Sequence, residues 1–252
     1  MTTVSARQTR CRCEPLSFAR ASHESSPGAV RSAEYLGVTG PSNNSTILLA
    51  SRSPRRRQLL EEFGFGAHEA THPGFEDSVL KPATQNPAAW VASLAYLKAW
   101  AKANEPGAAP RVVIGADTAC LMDGRLIGTP TTQQEAEAMI RGFMGREHEV
   151  LTGVAVVDCR ADEPVRYIFT DTASVRLGRL SEDQIARYIA SGAWQGKAGG
   201  YNYREALAAG WPLSHTGDMT TIMGLPMDRL APLLTRLGVA RAPMPQDVKV
   251  PA

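Results

Sequence analysis

The stretch ILLASRSPRRRQLLEEFGFG, residues 47–66, decides how this chain folds. Its first four residues are apolar and have the length of a buried strand. Ser53 suits the N-cap of a following helix, Pro54 its first position and Gly64 its C-terminal stop. The apolar side of that helix consists of Leu59, Leu60 and Phe63. The stretch therefore predicts a strand, a tight turn and a helix.

The start of this helix predicts an anion site. Free backbone N–H groups and the positive end of the helix dipole meet there. Ser51 and Ser53 add hydroxyl groups, and Arg55 and Arg56 add forked donors. Phosphate is the simplest ligand for such a site. The alternative is a solvated basic helix start that binds nothing.

The composition is that of a soluble globular protein, and the length allows one large α/β domain. The chain has 252 residues, of which 43% are hydrophobic and 21% charged, with a net charge of +2. This small charge suggests no large basic surface and hence no nucleic-acid partner. No apolar run approaches the roughly 18 residues of a membrane span. The cysteines form neither a zinc pattern nor a disulfide framework, which favours reduced thiols and a cytoplasmic location; they are Cys11, Cys13, Cys120 and Cys159.

The sequence divides into three parts. Residues 1–44 are rich in serine and arginine and lack an apolar period, which predicts a disordered extension. A start codon assigned too early or a transit peptide are the alternatives, the latter weakened by three acidic residues. Residues 45–240 form the predicted α/β domain. Residues 241–252 are proline-rich and predict a flexible tail.

Lys98 is a cation on an apolar helix face. Apolar positions from Val91 onward predict a helix from Pro87 to Lys102. Lys98 follows Val91 by seven residues and so shares its inward face. It either extends outward to water or points into a polar cleft.

Three carboxylates are candidates for chemistry. Asp117 follows the apolar strand candidate Arg111–Gly115, and α/β folds bind ligands beyond their strand ends. The alternative is an Asx turn that closes the strand. Glu76 and Asp77 lie in a loop-rich segment, residues 67–87, where adjacent carboxylates are more often simply solvated.

The rest of the chain alternates strands and helices. Gly196 to Tyr201 form a glycine-rich loop, in which backbone N–H groups could approach a ligand. The other predicted elements are a hairpin about Asp123-Gly124, a helix from Thr132 to Gly145, strands from His148 to Asp158 and from Val165 to Leu177, a helix from Ser181 to Gly192, and a last helix from Met227 to Leu237.

Six segments, in order, resemble motifs of the Maf family of nucleoside triphosphate pyrophosphatases. They span roughly residues 46–239, nearly everything except the two tails. The segments are ASRSPRR (50–56, family ASxSPRR), LAYLKA (94–99, LAxxKA), IGADT (114–118), HEVLTGV (148–154, HEVxTGV), KAGGY (197–201) and GLP (224–226).

The resemblance implies an elongated α/β fold with a mixed sheet and a central cleft, related to the inosine triphosphatases, in a cytosolic homodimer. It implies hydrolysis of the α–β phosphoanhydride of a standard or modified nucleoside triphosphate to the monophosphate and pyrophosphate. A divalent cation, Mg²⁺ or Mn²⁺, is the implied cofactor.

By position, the resemblance also assigns roles to residues. Asp117 would accept the proton of the attacking water or hold the metal, and Glu76 or Asp77 would be further metal ligands. Lys98 would add a phosphate contact. The implied substrate-binding residues are Ser51, Ser53, Arg55, Arg56, Thr118, Lys197 and Arg204.

Three positions depart from the family pattern. Many members have a lysine where this chain has Thr129, and an aspartate where it has Gly196. Members that prefer thymidine and uridine triphosphates have a glutamine in place of Arg204. Arginine only donates, so it cannot accept from the N3–H of uracil. If Arg204 points into the base pocket, discrimination for uracil or thymine should be weak; if it points outward, another residue reads the base.

These departures keep two function classes open. The first is a nucleotide pyrophosphatase. The missing lysine at Thr129 is consistent with a slow one, because an electrostatic contact can be worth about 10² to 10³ in rate. The second is a nucleotide-binding regulator of cell division and septum formation with weak or vestigial catalysis. A P-loop hydrolase is disfavoured, because the sequence contains no GxxxxGK[ST] motif.

Overall fold

The computed structural model describes residues 47–66, 68–74, 80, 86–106 and 111–242. The predicted extension, residues 1–44, lies outside these ranges, as do Glu76, Asp77 and residues 243–252 of the predicted tail. No helix within the described ranges is both long enough and apolar enough to cross a membrane.

Strands and helices are interspersed along the described chain. The strands are β1 (Ile47–Ala50), β2 (His68–Thr71), β3 (Val112–Met122), β4 (Arg125–Ile127), β5 (Arg146–Asp158), β6 (Val165–Leu177) and β7 (Leu213–Thr216). The α-helices are α1 (Pro54–Glu62), α2 (Pro87–Ala103), α3 (Gln133–Phe143), α4 (Glu182–Ala190), α5 (Tyr203–Ala208), α6 (Met219–Ile222) and α7 (Met227–Arg236). A short 3-10 helix covers Ala198–Gly200.

All of these strands belong to one mixed sheet. Its order is β2-β1-β3-β5-β6-β7, and β4 pairs with β3 beside this path. The first strand is parallel to both of its neighbours, and the pairs from β3 to β7 are antiparallel. The mixed α/β fold expected from the sequence is confirmed.

The apolar run of β1 is explained by burial on both faces. Leu48 and Ala50 pack with α2 residues on one face of the sheet. Ile47 and Leu49 pack with residues of α1 and α7 on the other. A strand covered on both sides shows continuous rather than alternating hydrophobicity.

One edge of β3 is left open between its two neighbours. The last pair with β1 joins Leu49 to Ile114, and the first pair with β4 joins Cys120 to Ile127. Residues 115–119 therefore have no strand partner on this side among the described residues, whereas β5 pairs with them on the other side. We call residues 115–119 the β3 gap.

Two glycines bring α2 unusually close to the sheet. A Cβ atom on Gly115 would lie 2.2 Å from the carbonyl oxygen of Ala95, and one on Gly153 would lie 2.5 Å from that of Val91. Such distances leave no room for a side chain. The glycines of the IGADT and HEVLTGV segments therefore set the helix–sheet distance, and α2 carries Lys98 beside the β3 gap.

Several sequence expectations require correction. The third strand does not end at Gly115 but continues through Asp117 to Met122, so Asp117 lies inside a strand. The segment expected to be loop-rich contains β2. Ser53 occupies the N-cap position of α1, but its side chain makes no capping hydrogen bond. The elements α5, β7 and α6 were not predicted at all.

We predict that Gly153→Ala lowers the free energy of unfolding by about 1–3 kcal/mol, the usual cost of overpacking a dense interior. The methyl group would meet the backbone of α2, which cannot rotate away as a side chain can. Urea denaturation measures the change. The matched control is Gly142→Ala in α3, where nothing lies within 4 Å of the added Cβ; this variant should be neutral or more stable by up to about 1 kcal/mol. Equal stability of the two variants would contradict the close-approach argument.

Candidate active site

Arg56 joins three segments that are distant in sequence. Its Nη1 donates to Ser51 Oγ at 3.0 Å, at the end of β1. Its Nη2 donates to Thr118 Oγ1 at 3.0 Å, in the β3 gap, and its Nε donates to the Gly224 carbonyl oxygen at 2.8 Å. Gly224 has a φ of +98°, which L side chains rarely adopt, so the turn that presents this carbonyl requires glycine.

A chain of hydroxyl groups continues from Arg56 into the interior. Thr118 Oγ1 and Thr152 Oγ1 are 2.9 Å apart, and Thr152 Oγ1 donates to the Thr221 carbonyl oxygen at 2.8 Å. Because Arg56 donates to Thr118 and Thr152 donates onward, Thr118 must donate to Thr152. The guanidinium position is therefore fixed by bonds that reach β5 and α6.

Asp117 and Lys98 form an ion pair on the opposite face of β3. The Lys98 Nζ lies 2.7 Å from Asp117 Oδ1, and the two side chains are only 10% and 15% exposed. Oδ2 of Asp117 has no hydrogen-bond partner in the part of the chain that the structure describes. Of the two alternatives for Lys98, the geometry therefore favours a side chain that points into a polar cleft over one that extends outward to water.

A cavity of about 250 Å³ connects these groups across the β3 gap. Successive strand residues point to opposite faces, so Asp117 and Thr118 would normally be separated by the sheet. Since β3 has no neighbour here, both side chains reach the same cavity. Its walls are formed by Ser53, Arg55, Arg56, Asp117, Thr118, Cys120, Thr129, His148, Val150, Val175, Gly196, Ala198, Tyr201, Asn202, Tyr203, Ile222, Met223 and Gly224.

The cavity has two chemically different ends. The end at α1 carries the arginines and Asp117. The other end is apolar and aromatic, with the buried side chains of Cys120, Val150 and Val175. Four residues of extended strand, roughly 14 Å, separate Thr152 beside Thr118 from His148 at this second end. An elongated ligand with an anionic end and an apolar ring would match both ends.

Burial shifts the titration of three groups at the apolar end. It lowers the pKa of His148 to about 4 and raises the pKa of the Cys120 thiol to about 12. Burial also raises the pKa of Tyr201 above its ordinary value. Each shift has the same cause, the loss of hydration of the charged form. All three groups are therefore neutral at pH 7.

The structure brings together most of the residues predicted from sequence. Arg55 lines the cavity and has no hydrogen bond or ion pair with any described residue, so its charge is available. Ser53 also lines it, and Ser51 reaches it through Arg56. The other predicted residues that line the cavity are Arg56, Asp117 and Thr118. Lys98 is joined to the cavity through its ion pair with Asp117.

Two predicted substrate-binding residues are placed elsewhere. Lys197 Nζ contacts Glu205 of α5. Arg204 donates to both carboxylate oxygens of Glu62, at 2.8 and 3.1 Å, on the exposed side of α1. Neither side chain lines the cavity.

Sequence reasoning assigned no role to several cavity residues. His148, Tyr201 and Gly224 stood inside the quoted motifs, and Cys120 and Tyr203 outside them. The alternation of β5 could have shown that His148, Val150 and Thr152 share one face. It could not have shown what packs against that face.

The described residues of the cavity wall offer a divalent cation one carboxylate ligand. Among the described residues, no group of three or more His, Cys, Asp or Glu is placed to hold a metal. Asp117 is the carboxylate that those residues contribute to the cavity wall. Mg²⁺ commonly binds through one or two carboxylates together with substrate phosphates, so a single carboxylate is sufficient from the protein. The metal roles predicted for Glu76 and Asp77 fall outside the described residues.

Comparison with known proteins gives consistent matches over the same region. The sequence profile of the family described as Maf-like protein matches residues 46–237. A dTTP/UTP pyrophosphatase of Pelotomaculum thermopropionicum is 38% identical over 192 residues, covering 76% of this chain and 96% of that protein. A second dTTP/UTP pyrophosphatase, from Symbiobacterium thermophilum, is 38% identical over 193 residues, covering 76% of this chain and 94% of that protein. One from Chromobacterium violaceum is 36% identical over 200 residues, covering 78% and 96%.

We predict that the two cavity arginines differ in their effect on stability. Arg56→Ala should lower the free energy of unfolding by about 1–3 kcal/mol, because partly buried acceptors lose their donor. Arg55→Ala should change it by no more than about 0.5 kcal/mol, as at an ordinary surface position. Both should weaken binding of inorganic triphosphate, measured by calorimetry. A destabilisation by Arg55→Ala as large as that by Arg56→Ala would contradict the distinction.

Proposed function

The chain belongs to the Maf family, and from this we propose that it is a nucleoside triphosphate pyrophosphatase. It hydrolyses the bond between the α and β phosphates and releases the monophosphate and pyrophosphate. The observation that carries the proposal is the cavity itself. It combines an uncommitted arginine, a fixed arginine and a partly buried carboxylate–lysine pair around one opening in the sheet.

The phosphates bind at the α1 end of the cavity. Arg55 supplies a charge that no described residue neutralises, and it stands at the start of α1, where free N–H groups favour an anion. Arg56 is held by three protein acceptors, so its guanidinium presents a fixed edge to the ligand. Donors that are already oriented stabilise developing charge without reorganising during the reaction.

Asp117 is positioned to accept a proton from water. Its Oδ1 is held by the Lys98 ammonium, which fixes the orientation of the carboxylate. Its Oδ2 is the atom that has no protein donor among the described residues, and it is the atom we assign as proton acceptor. A water between Oδ2 and the phosphates would be deprotonated as it attacks phosphorus. Lys98 would also contribute positive charge near the reacting phosphate.

A divalent cation completes the proposed site. Asp117 would hold it together with phosphate oxygens of the substrate, and Mg²⁺ or Mn²⁺ would fit this oxygen donor set. When bound, the cation would neutralise part of the charge on the phosphate oxygens. Asp117 thus serves as metal ligand, as proton acceptor or as both.

For the base, we propose a preference for thymine and uracil. The three relatives described above are dTTP/UTP pyrophosphatases. The weak discrimination expected from Arg204 depended on its pointing into the base pocket. Arg204 instead pairs with Glu62, outside the cavity lining. The base then lies at the apolar end of the cavity, and other groups read it.

The position of Thr129 bears on the rate and on the alternative function. Thr129 lines the cavity where the resemblance leads to a lysine, so one cation is missing from its wall. This favours a slow enzyme, and Thr129 and Gly196 are the two features that would favour a nucleotide-binding regulator of septum formation. Turnover with Mg²⁺ and Mn²⁺ over a panel of triphosphates separates the two functions.

We further propose that the protein acts as a homodimer in the cytoplasm, as the resemblance implies. Cys120 and Cys159 are free thiols, which supports a reducing compartment. Light scattering of the purified protein measures the oligomeric state.

We predict that Asp117→Asn lowers kcat at least about a hundredfold, since the amide keeps the shape but cannot take up the proton. Pyrophosphate release measures the effect. The matched control is Asp158→Asn, because Asp158 forms a comparably buried pair with Arg160 at the far end of β5. That control should keep near-normal turnover. A folded Asp117→Asn protein with unchanged turnover would remove Asp117 from the mechanism.

We predict that Arg204→Gln leaves the order of base preference unchanged. The substitution breaks an ion pair with Glu62 whose side chains are 37% and 35% exposed, a contact outside the cavity. Glu62→Gln breaks the same pair from the other side and is the control. The values of kcat/KM for dTTP, UTP, CTP and GTP provide the comparison. If Arg204→Gln alone reorders them, Arg204 reaches the base.

A further inference from the structure

His148 carries a buried polar atom that the protein leaves without a partner. Its side chain is at the apolar end of the cavity, and the residue is 2% exposed. Nδ1 has no hydrogen-bond partner among the described residues, while Nε2 lies 3.0 Å from the hydroxyl of Tyr201. Of the two buried side-chain atoms without a partner in the described part of the chain, this one belongs to a cavity residue. Such atoms are costly to bury, so an unpaired one on a side chain of the cavity wall points to a partner that the described residues do not supply.

The hydrogen bond to Tyr201 decides which nitrogen of His148 carries the proton. A neutral imidazole has one donor and one acceptor nitrogen. The Tyr201 hydroxyl has no acceptor other than Nε2 among the described residues. If Tyr201 donates to Nε2, only the Nδ1–H remains unsatisfied. In the other tautomer both the Tyr201 hydroxyl hydrogen and the Nδ1 lone pair would be unsatisfied. The first arrangement leaves fewer unpaired groups, so Nδ1 is a donor.

The surroundings hold this ring in a single orientation. The Phe143 ring lies against it with centroids 4.1 Å apart, and Tyr201 meets it edge-on at 6.0 Å. Burial keeps the imidazole neutral at pH 7, as its lowered pKa requires. The donor is therefore fixed in direction and does not become a second charge.

We propose that His148 selects the base of the substrate, its Nδ1–H donating to the O4 carbonyl that distinguishes uracil and thymine from cytosine. Cytosine has an amino group at this position, which is itself a donor and would leave Nδ1–H unsatisfied. Tyr201 is a positioning residue, since it acts by fixing the tautomer. The inference rests on the proposed function, because it takes a nucleoside triphosphate as the ligand of this cavity.

The test compares UTP with CTP in matched variants of the full chain. His148→Phe removes both nitrogens and should reduce the ratio of kcat/KM for UTP over CTP at least about tenfold. His148→Asn places an amide N–H near the Nδ1 position and should retain part of the ratio. His148→Gln places it near Nε2 and should behave like His148→Phe. Tyr201→Phe frees the tautomer, so it should lower the ratio even though the imidazole remains.

Two further readouts do not depend on turnover. Calorimetry with UMP and CMP, the corresponding monophosphates, should show that wild type prefers UMP and that His148→Phe does not. In ¹⁵N NMR of the wild type, the free protein should show the Nδ1–H tautomer of His148, and UMP but not CMP should shift that signal. The NMR and the wild-type calorimetry test the role of His148 in base selection even if a His148 variant fails to fold.

The outcomes separate the inference from the function on which it rests. An unchanged UTP-to-CTP ratio in folded His148→Phe, or an Nε2–H tautomer in the free wild type, would overturn the role of His148. Wild type that hydrolyses UTP and CTP equally would overturn it as well, and the pyrophosphatase function would stand. A wild type that prefers UMP to CMP but releases no pyrophosphate from any triphosphate would overturn the proposed reaction and leave base selection supported.

Discussion

The guanidinium of Arg56 is the contact on which the arrangement of the cavity depends. It ties the end of β1 to the β3 gap and to the turn before α7 through Ser51, Thr118 and Gly224. These three residues come from different segments of the chain, and no β-ladder hydrogen bonds join them to one another among the described residues. A planar guanidinium has donors in fixed directions and so holds its acceptors in one geometry, whereas the three donors of a lysine ammonium rotate. The anion-binding start of α1 therefore faces the open edge of β3.

The open edge explains how residues on two faces of a sheet act on one ligand. In a complete sheet, Asp117 and Thr118 would point into separate compartments. Here β1 ends before the β3 gap and β4 begins after it, so the cavity reaches around the strand. The close approach of α2, permitted by Gly115 and Gly153, then places Lys98 against Asp117. The absence of side chains at Gly115 and Gly153 thus allows α2 to place the Lys98 charge beside Asp117.

Sequence predicted most of the elements that bury apolar residues and missed both edge strands of the sheet. The strand β1 leaves a continuous apolar run in the sequence because both of its sides are covered, and helices α1 and α2 leave a helical period because one side is covered. The strands β2 and β7 lie at the two edges of the sheet and are mostly polar. They pair through backbone hydrogen bonds, which leave no hydrophobic pattern in the sequence. The partner of Arg204 could not be predicted either, since Glu62 lies 142 positions away and no local pattern connects them. The motif residues that line the cavity could be named from the sequence, because each motif is a local pattern.

The charges in the cavity explain why a divalent cation belongs to the proposed mechanism. A triphosphate carries about four negative charges that must be balanced during attack. Of the predicted cations, Lys98 faces a carboxylate, Lys197 is paired with α5, and Thr129 contributes no charge. Arg56 is shared with three protein acceptors, which leaves Arg55 as the cavity arginine with no partner among the described residues. The side chains alone therefore balance only part of the substrate charge, and a metal held by Asp117 and the phosphates would supply the remainder.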